Sequence, residues 1–353
     1  MPKVYDVPAL RDRLNRCFPP VVARHTETAH RYERTDTGRM AWSVTSKLGI
    51  ISKPYLYKWY VKLTVEYIRE NRDRLADEFD EVLRESKNAA VRSRDTSAEI
   101  GTSAHDAIDR HITEWVRTDS RPRSAVEFLK AMCAEKGVEP RGEEIAGCRS
   151  YERFLDEREL IPLVSEIRVW YEQCPKHRKK GCPPKSSCAL DVFAGSVDAA
   201  FIWLRPRKGR VGESGVVDLA GNPHVRHDYI PQENGTWWCS ACGREVDPVL
   251  ILGDWKTSNS IDKKDDYAQQ GCAYAEAIEL AAEVKFDDVW VVRFDKECDE
   301  YEIRRVSDRA AAWQEFLAIS RAFDERQKRG IGDSIVDFDS LLVPLEVKEI
   351  TYI

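Results

Sequence analysis

The chain has 353 residues, 42% of them hydrophobic and 33% charged, with a formal net charge of -6. That length suffices for a catalytic domain with additional lobes, and the acidic balance excludes a global attraction for nucleic acid, so any such binding must rest on local basic surfaces. No apolar run approaches the roughly 20 residues that cross a bilayer, and MPKVYDVPALRDRLNR at the start lacks the apolar core of a signal peptide, which points to a cytoplasmic protein without membrane contact.

The first 90 residues carry a mostly helical pattern, and SVTSKLGIISKPYLYKWYVKLTVEYIRE at 43–70 places aromatic and aliphatic residues at helical spacing. Residues 1–94 therefore read as an N-terminal helical lobe and 95–353 as the core. TSAEIGTSAHDAIDRHITEWV follows, with Thr96 or Ser97 as a helix cap and Ile100, Ala104, Ile108 and Ile112 as the apolar stripe. A further helix is expected near 143–158. Beyond Pro162 the period shortens, and LVSEIRVWYE, ALDVFAGSVDAAFIWL, PVLILGDWKTS, DDVWVVRFD and YEIRRVS read as five strands. Helices at about 263–283 and 308–328 follow the third and fifth of them, which makes the chain an α/β protein.

Two irregular insertions, 174–188 and 205–247, interrupt the strands. Five of the ten cysteines and three of the seven histidines fall between residues 174 and 242, a clustering that fits metal ligation. Cys239-x-x-Cys242 with His224-x-x-His227 upstream has a spacing suited to tetrahedral zinc, and Cys174, His177, Cys182 and Cys188 form another potential ligand set. One or two structural zinc ions would staple segments that lack a core of their own. Cys17, Cys133, Cys148, Cys272 and Cys298 are scattered and read as small buried hydrophobes. The same insertions carry the basic loops, Lys176, Arg178, Lys179 and Lys180 in the first and Arg205, Arg207, Lys208 and Arg210 in the second, as candidate contacts to a phosphate backbone.

The strand VLILGDWKTS ends on two opposite charges. At period two, Asp254 and Lys256 share a face while Trp255 points the other way. An isolated D-x-K is most often a solvated ion pair. In GSVDAAFIWL, however, Asp198 stands among apolar positions, and a buried carboxylate needs a partner or a metal. If these two strands pair, Asp198 and Asp254 can bind one divalent cation with the Trp255 carbonyl as a further ligand; such hard oxygen ligands suit magnesium or manganese. On the following helix Gln270 and Tyr274, four apart, share a face.

The ordered set G-x-x-D, D-x-K and Q-x-x-x-Y, spread over roughly residues 95–300, resembles the PD-(D/E)xK nuclease superfamily, and within it the RecB-like exonuclease branch that includes phage and CRISPR-associated members. The resemblance implies a mixed central sheet flanked by helices. It also implies that His105 in GTSAHDAID ligates the metal, that Glu166 in LVSEIRVW orients a water, and that Gln270 and Tyr274 position the nucleic-acid strand. SVTSKLGIISKPYLYKW is similar to a segment of phage-encoded members and suggests a lobe closing over the DNA. Only Cys272 and Cys298 follow Gln270, a departure from the iron–sulfur members, and no Walker A motif occurs, so no ATP is expected. The function so implied is a magnesium- or manganese-dependent DNA exonuclease in phage-type recombination, repair or replication, acting in the cytoplasm, with DNA and a recombination or replication protein as partners. The alternatives are a structure-specific or restriction-type endonuclease and a catalytically silent, zinc-containing DNA-binding or assembly protein.

Overall fold

The computed structural model describes residues 5–25, 30–51, 54–174, 191–206, 229–239, 244–258 and 266–328. It begins with α1 (Val7–Arg16), capped by the Asp6 carboxylate, which accepts from Ala9 N at 3.0 Å. Strands β1 (Val21–His25), β2 (His30–Arg34) and β3 (Arg39–Trp42) then form a small antiparallel sheet. Helices α2 (Val44–Leu48), α3 (Pro54–Glu70), α4 (Phe79–Lys87) and α5 (Ala89–Thr118) follow.

The mostly helical reading of the first 90 residues is thus corrected at 21–42, where three strands stand. HRYER and RMAW are too short and too polar for a strand period to show, and tertiary contacts make the strands: Val21, Tyr32 and Ala41 pack on Trp170 and Ala194 of the main sheet. Leu10, Leu14, Val44 and Leu48 likewise enter the same core as the main sheet. The boundary drawn at residue 94 falls inside α5, where Thr96 and Ser97 are interior positions and not caps. The expected stripe of Ile100, Ala104, Ile108 and Ile112 is buried.

The rest of the chain runs α6 (Ala125–Glu135), α7 (Gly142–Glu157), β4 (Leu160–Gln173), β5 (Asp191–Pro206), β6 (Tyr229–Pro231), β7 (Trp237–Cys239), β8 (Glu245–Thr257), α8 (Tyr267–Ala282), β9 (Asp288–Phe294), β10 (Tyr301–Arg305) and α9 (Arg309–Lys328). The central sheet has the order β10-β9-β8-β5-β4, and β7 pairs with both β6 and β8. It is mixed: β8 and β9 are parallel, joined through α8, and the other pairs are antiparallel. Helices α5, α6 and α7 cover one face over Phe201, Trp255, Trp290 and Phe294. The other face packs on α1, α2, α8 and α9 around Phe193, Val197, Leu252 and Val289. Among the described residues no helix is long and apolar enough to cross a membrane.

Candidate active site

The ladder between β5 and β8 runs from Pro206↔Val246 to Ala199↔Gly253 and stops. One more rung would set Asp198 opposite Asp254. Instead the Asp198 carboxylate takes the Trp255 backbone N–H, a side chain replacing a strand as acceptor. Across β5 the same point interrupts β4. Ser165↔Ala199 and Ile167↔Val197 pair on either side, and Glu166 between them has φ +49°, a left-handed conformation that a non-glycine residue holds only where its surroundings impose it. The faces of β5 also slip here, because Val197 and Ala200, three apart, enter the same core. Asp198 therefore sits in the wedge where β5 parts from β8, beside a left-handed residue of β4.

That wedge admits both helical layers. From α5, His105 brings Nδ1 to 3.8 Å from Asp198 Oδ1. From α8, Gln270 Nε2 donates to Asp254 Oδ1 at 3.2 Å. Lys256, on the same strand face as Asp254, places Nζ 2.6 Å from Asp254 Oδ2 and 5.1 Å from the centre of the Tyr267 ring, a cation–π contact. Trp255 points oppositely, stacked at 5.9 Å on Phe201 and edge-on to Phe154.

Tyr274 explains the glycine of G-x-x-D. A Cβ on Gly195 would lie 2.5 Å from Tyr274 Cε1 and 2.8 Å from its Oη, so the bare backbone of β5 is what lets the α8 ring lie against it. Tyr274 is buried; its ring packs α8 against the sheet, one turn after Gln270, which donates to Asp254. Glu166 is exposed, with Ser196 Oγ donating to its Oε2 at 2.6 Å.

Burial, and after it the charge of Asp254, holds the Asp198 carboxyl well above the usual carboxylate range, against the opposing pull of Lys256. Burial alone would lower the Lys256 pKa, but the Asp254 and Asp198 carboxylates outweigh it and raise it, so the ammonium keeps its proton at neutral pH. His105 is pushed down to about 4 by burial and then by Lys256, so its imidazole is neutral and its contact with Asp198 is not an ion pair.

Among the described residues, no three His, Cys, Asp or Glu side chains are gathered as a ready metal cage. The donor chemistry nevertheless fits a hard divalent cation. Asp254 is buried with its Oδ2 2.6 Å from the Lys256 ammonium, and burial beside a second carboxylate is unfavourable for the ionised Asp198 carboxyl. A neutral imidazole stands next to them. A cleft of about 480 Å³ opens at this point, lined among others by Ser97, Gly101, His105, Glu166, Lys256 and Thr257.

The other expected ligands are divided. Cys174 and Cys239 are buried at the ends of β4 and β7, whereas His177, Cys182, Cys188, His224, His227 and Cys242 lie outside the described residues. So do Lys176, Arg178, Lys179, Lys180, Arg207, Lys208 and Arg210. Arg205 pairs with Asp247 at 3.2 Å. Sequence reasoning missed Ser196 and Tyr267; the latter, three residues before Gln270, could have been found from helical spacing.

No known protein-family model matches the chain, and a search of curated proteins returns no match. Fold and site together define an α/β protein with a mixed central sheet flanked by helices. At the point where two central strands part, it carries two facing carboxylates, an ammonium and a carboxamide.

Proposed function

We propose that the protein is a metal-dependent nuclease of the PD-(D/E)xK type that hydrolyses phosphodiester bonds in DNA. The observation that carries this reading is the missing rung between β5 and β8, where Asp198 and Asp254 face each other with Lys256 beside them. Structural ion pairs do not need a second buried carboxylate at a broken ladder.

Asp198 and Asp254, with His105 and the Trp255 carbonyl, would hold magnesium or manganese. The bound cation supplies Lewis-acid polarisation of the phosphoryl group and neutralises its charge. Lys256, held protonated, donates to the phosphoryl oxygens as charge develops and does not act as a base. Glu166, oriented by Ser196, would accept a hydrogen bond from the attacking water and draw off its proton. Gln270 fixes the rotamer of Asp254, and Tyr274 fixes Gln270. The motif order supports an exonuclease serving phage-type recombination, repair or replication alongside a partner protein in the cytoplasm. One or two structural zinc ions in the insertions belong to the same proposal.

Digestion of end-labelled linear and closed circular DNA, with and without magnesium, tests it. Magnesium-dependent release of nucleotides from linear DNA alone is expected. Nicking of the circle would make the enzyme an endonuclease, and inertness toward both would reject the nuclease reading.

A further inference from the structure

β4 closes the central sheet at one edge, and along its 14 residues only Glu166 and Arg168 are exposed. They share a face at period two, and the register sets Arg168 opposite Ser196, two residues before Asp198. On one side this face is covered, with Trp170 and Ala194 under the small sheet of β1 to β3. On the other side Ala199 lies under α5. Between the two covers a window remains, which holds Glu166 and Arg168 with the half-buried Ser196 and Asp198.

Arg168 is anchored without being neutralised. Its Nη1 donates to the Val21 carbonyl of β1 at 3.0 Å, and among the described residues no carboxylate pairs with it. The arginines of β1 to β3 differ: Arg24, Arg34 and Arg39 are paired with Glu33, Asp36 and Glu172, and Arg31 lies over the Trp42 ring at 3.9 Å. A guanidinium fixed at one N–H presents the rest of its rigid fork in set directions, a geometry suited to phosphate.

In the nuclease reading the scissile phosphate meets the cation at Asp198. The next phosphate of the strand then passes Glu166, and like charges brought together there repel. Arg168 stands about 6.6 Å along β4 from Glu166, two residues of strand rise, so its positive charge lies one step beyond the carboxylate.

We propose that Arg168 binds the phosphate adjacent to the scissile one, its guanidinium held ready by Val21 and offsetting the repulsion from Glu166. The proposal rests on the nuclease reading and adds to it a substrate-binding residue. Arg168 acts on binding and leaves bond cleavage to the carboxylates and Lys256.

A cycle that alters the arginine and the phosphate separately tests this. Cleavage of the first bond in magnesium is followed for the wild type, Arg168→Gln, Arg168→Lys and Arg39→Gln. The linear DNA carries either ordinary phosphates or a single uncharged methylphosphonate beside the cleaved bond, on one side or the other. Arg168→Gln is expected to raise KM about tenfold on ordinary DNA with kcat within about twofold. It should also flatten the dependence of log KM on log salt by about 0.7 to 0.9, the value for one phosphate contact. The wild type should lose as much on the methylphosphonate at one of the two positions, where Arg168→Gln loses nothing further. Arg168→Lys keeps the charge and should keep most of the salt slope. Arg39→Gln removes another tie between the small sheet and β4 and should keep the wild-type KM. A purely structural arginine gives other results: Arg168→Gln then keeps the wild-type KM and salt slope while losing Tm, or raises KM by one factor on every substrate. Either result overturns the proposal and leaves the nuclease reading standing. Should Arg168→Gln not fold, a wild-type KM unchanged by both methylphosphonates overturns it alone. No cleavage of ordinary DNA by the wild type overturns the nuclease reading and this contact with it.

Discussion

Replacing Gly195 by alanine puts one methyl group into a space that Tyr274 fills. The added carbon would stand 2.5 Å from Tyr274 Cε1, 2.8 Å from Oη and 3.0 Å from Cζ. Real carbons do not approach so closely, so something must move, and neither neighbour yields readily: Gly195 is paired with Val169 of β4, its neighbour Ala194 is bridged to Ser43, and the tyrosine is buried. Overpacking of this kind costs roughly 1–3 kcal/mol. At about 2.1 cal/mol/K per residue, unfolding entropy converts that into a Tm loss of only about 1–4 °C for a chain of 353 residues, so denaturant titration is the better assay. Tyr274→Ala alone should cost about 3–5 kcal/mol through the cavity it leaves. In the double variant the new methyl occupies emptied space, and the total should fall short of the sum by at least about 1 kcal/mol. The displaced ring also drags α8, so Gly195→Ala should lower turnover through Gln270. Additivity within about 0.5 kcal/mol would refute the claim that G-x-x-D and Q-x-x-x-Y are one packing unit.

His105→Ala should lower turnover by about a hundredfold or more with little loss of stability, since its side chain is 25% exposed; wild-type turnover would return this histidine to a packing role. His111 differs: it is buried, bonded to Tyr151 Oη at 3.1 Å and to the Pro122 carbonyl at 3.3 Å, so His111→Ala should cost about 2–4 kcal/mol while the folded fraction keeps its turnover. Burial also holds the His111 pKa down to about 4. The unfolded chain takes up a proton near pH 6.5 and the folded one does not, so this contribution is complete above pH 6.5 and fades toward pH 4. The loss is about 3 kcal/mol, measurable as a steeper acid decline than in His111→Gln, and parallel pH profiles would contradict it. Elemental analysis should find one or two zinc ions per chain, lost in part from a Cys239→Ser/Cys242→Ser variant that becomes protease-sensitive between 205 and 247; unchanged zinc after that substitution would exclude these ligands.

The central strands were readable because aliphatic runs as long as VLILG and VWVV have no alternative to burial. The shared face of Asp254 and Lys256 followed from period two alone. Where the ladder breaks was not readable, because the register between β5 and β8 is set by packing across residues far apart in sequence. Glu166 illustrates the limit: its left-handed backbone depends on the slip of both neighbouring faces, and no local signal marks it. The Gly195 contact with Tyr274 joins positions 79 apart. β1 to β3 carry too few apolar residues to announce themselves and are held by Trp170 and Ala194. His111, six residues beyond His105 on the same helix, has the same residue type and a purely structural role, which only its buried partners reveal.

The central claim is that Asp198 and Asp254 act together to hold a catalytic cation. Magnesium titration of the wild type and Asp254→Asn, reading Tm and DNA cleavage on the same samples, tests it most directly. A cation that binds the folded state alone stabilises it by about 2.7 kcal/mol at a hundred times its Kd. The wild type should therefore gain Tm with magnesium and cleave DNA. Asp254→Asn should remain folded, gain no Tm, and cleave at least roughly a thousandfold more slowly. Magnesium-dependent cleavage by folded Asp254→Asn at the wild-type rate would contradict the account.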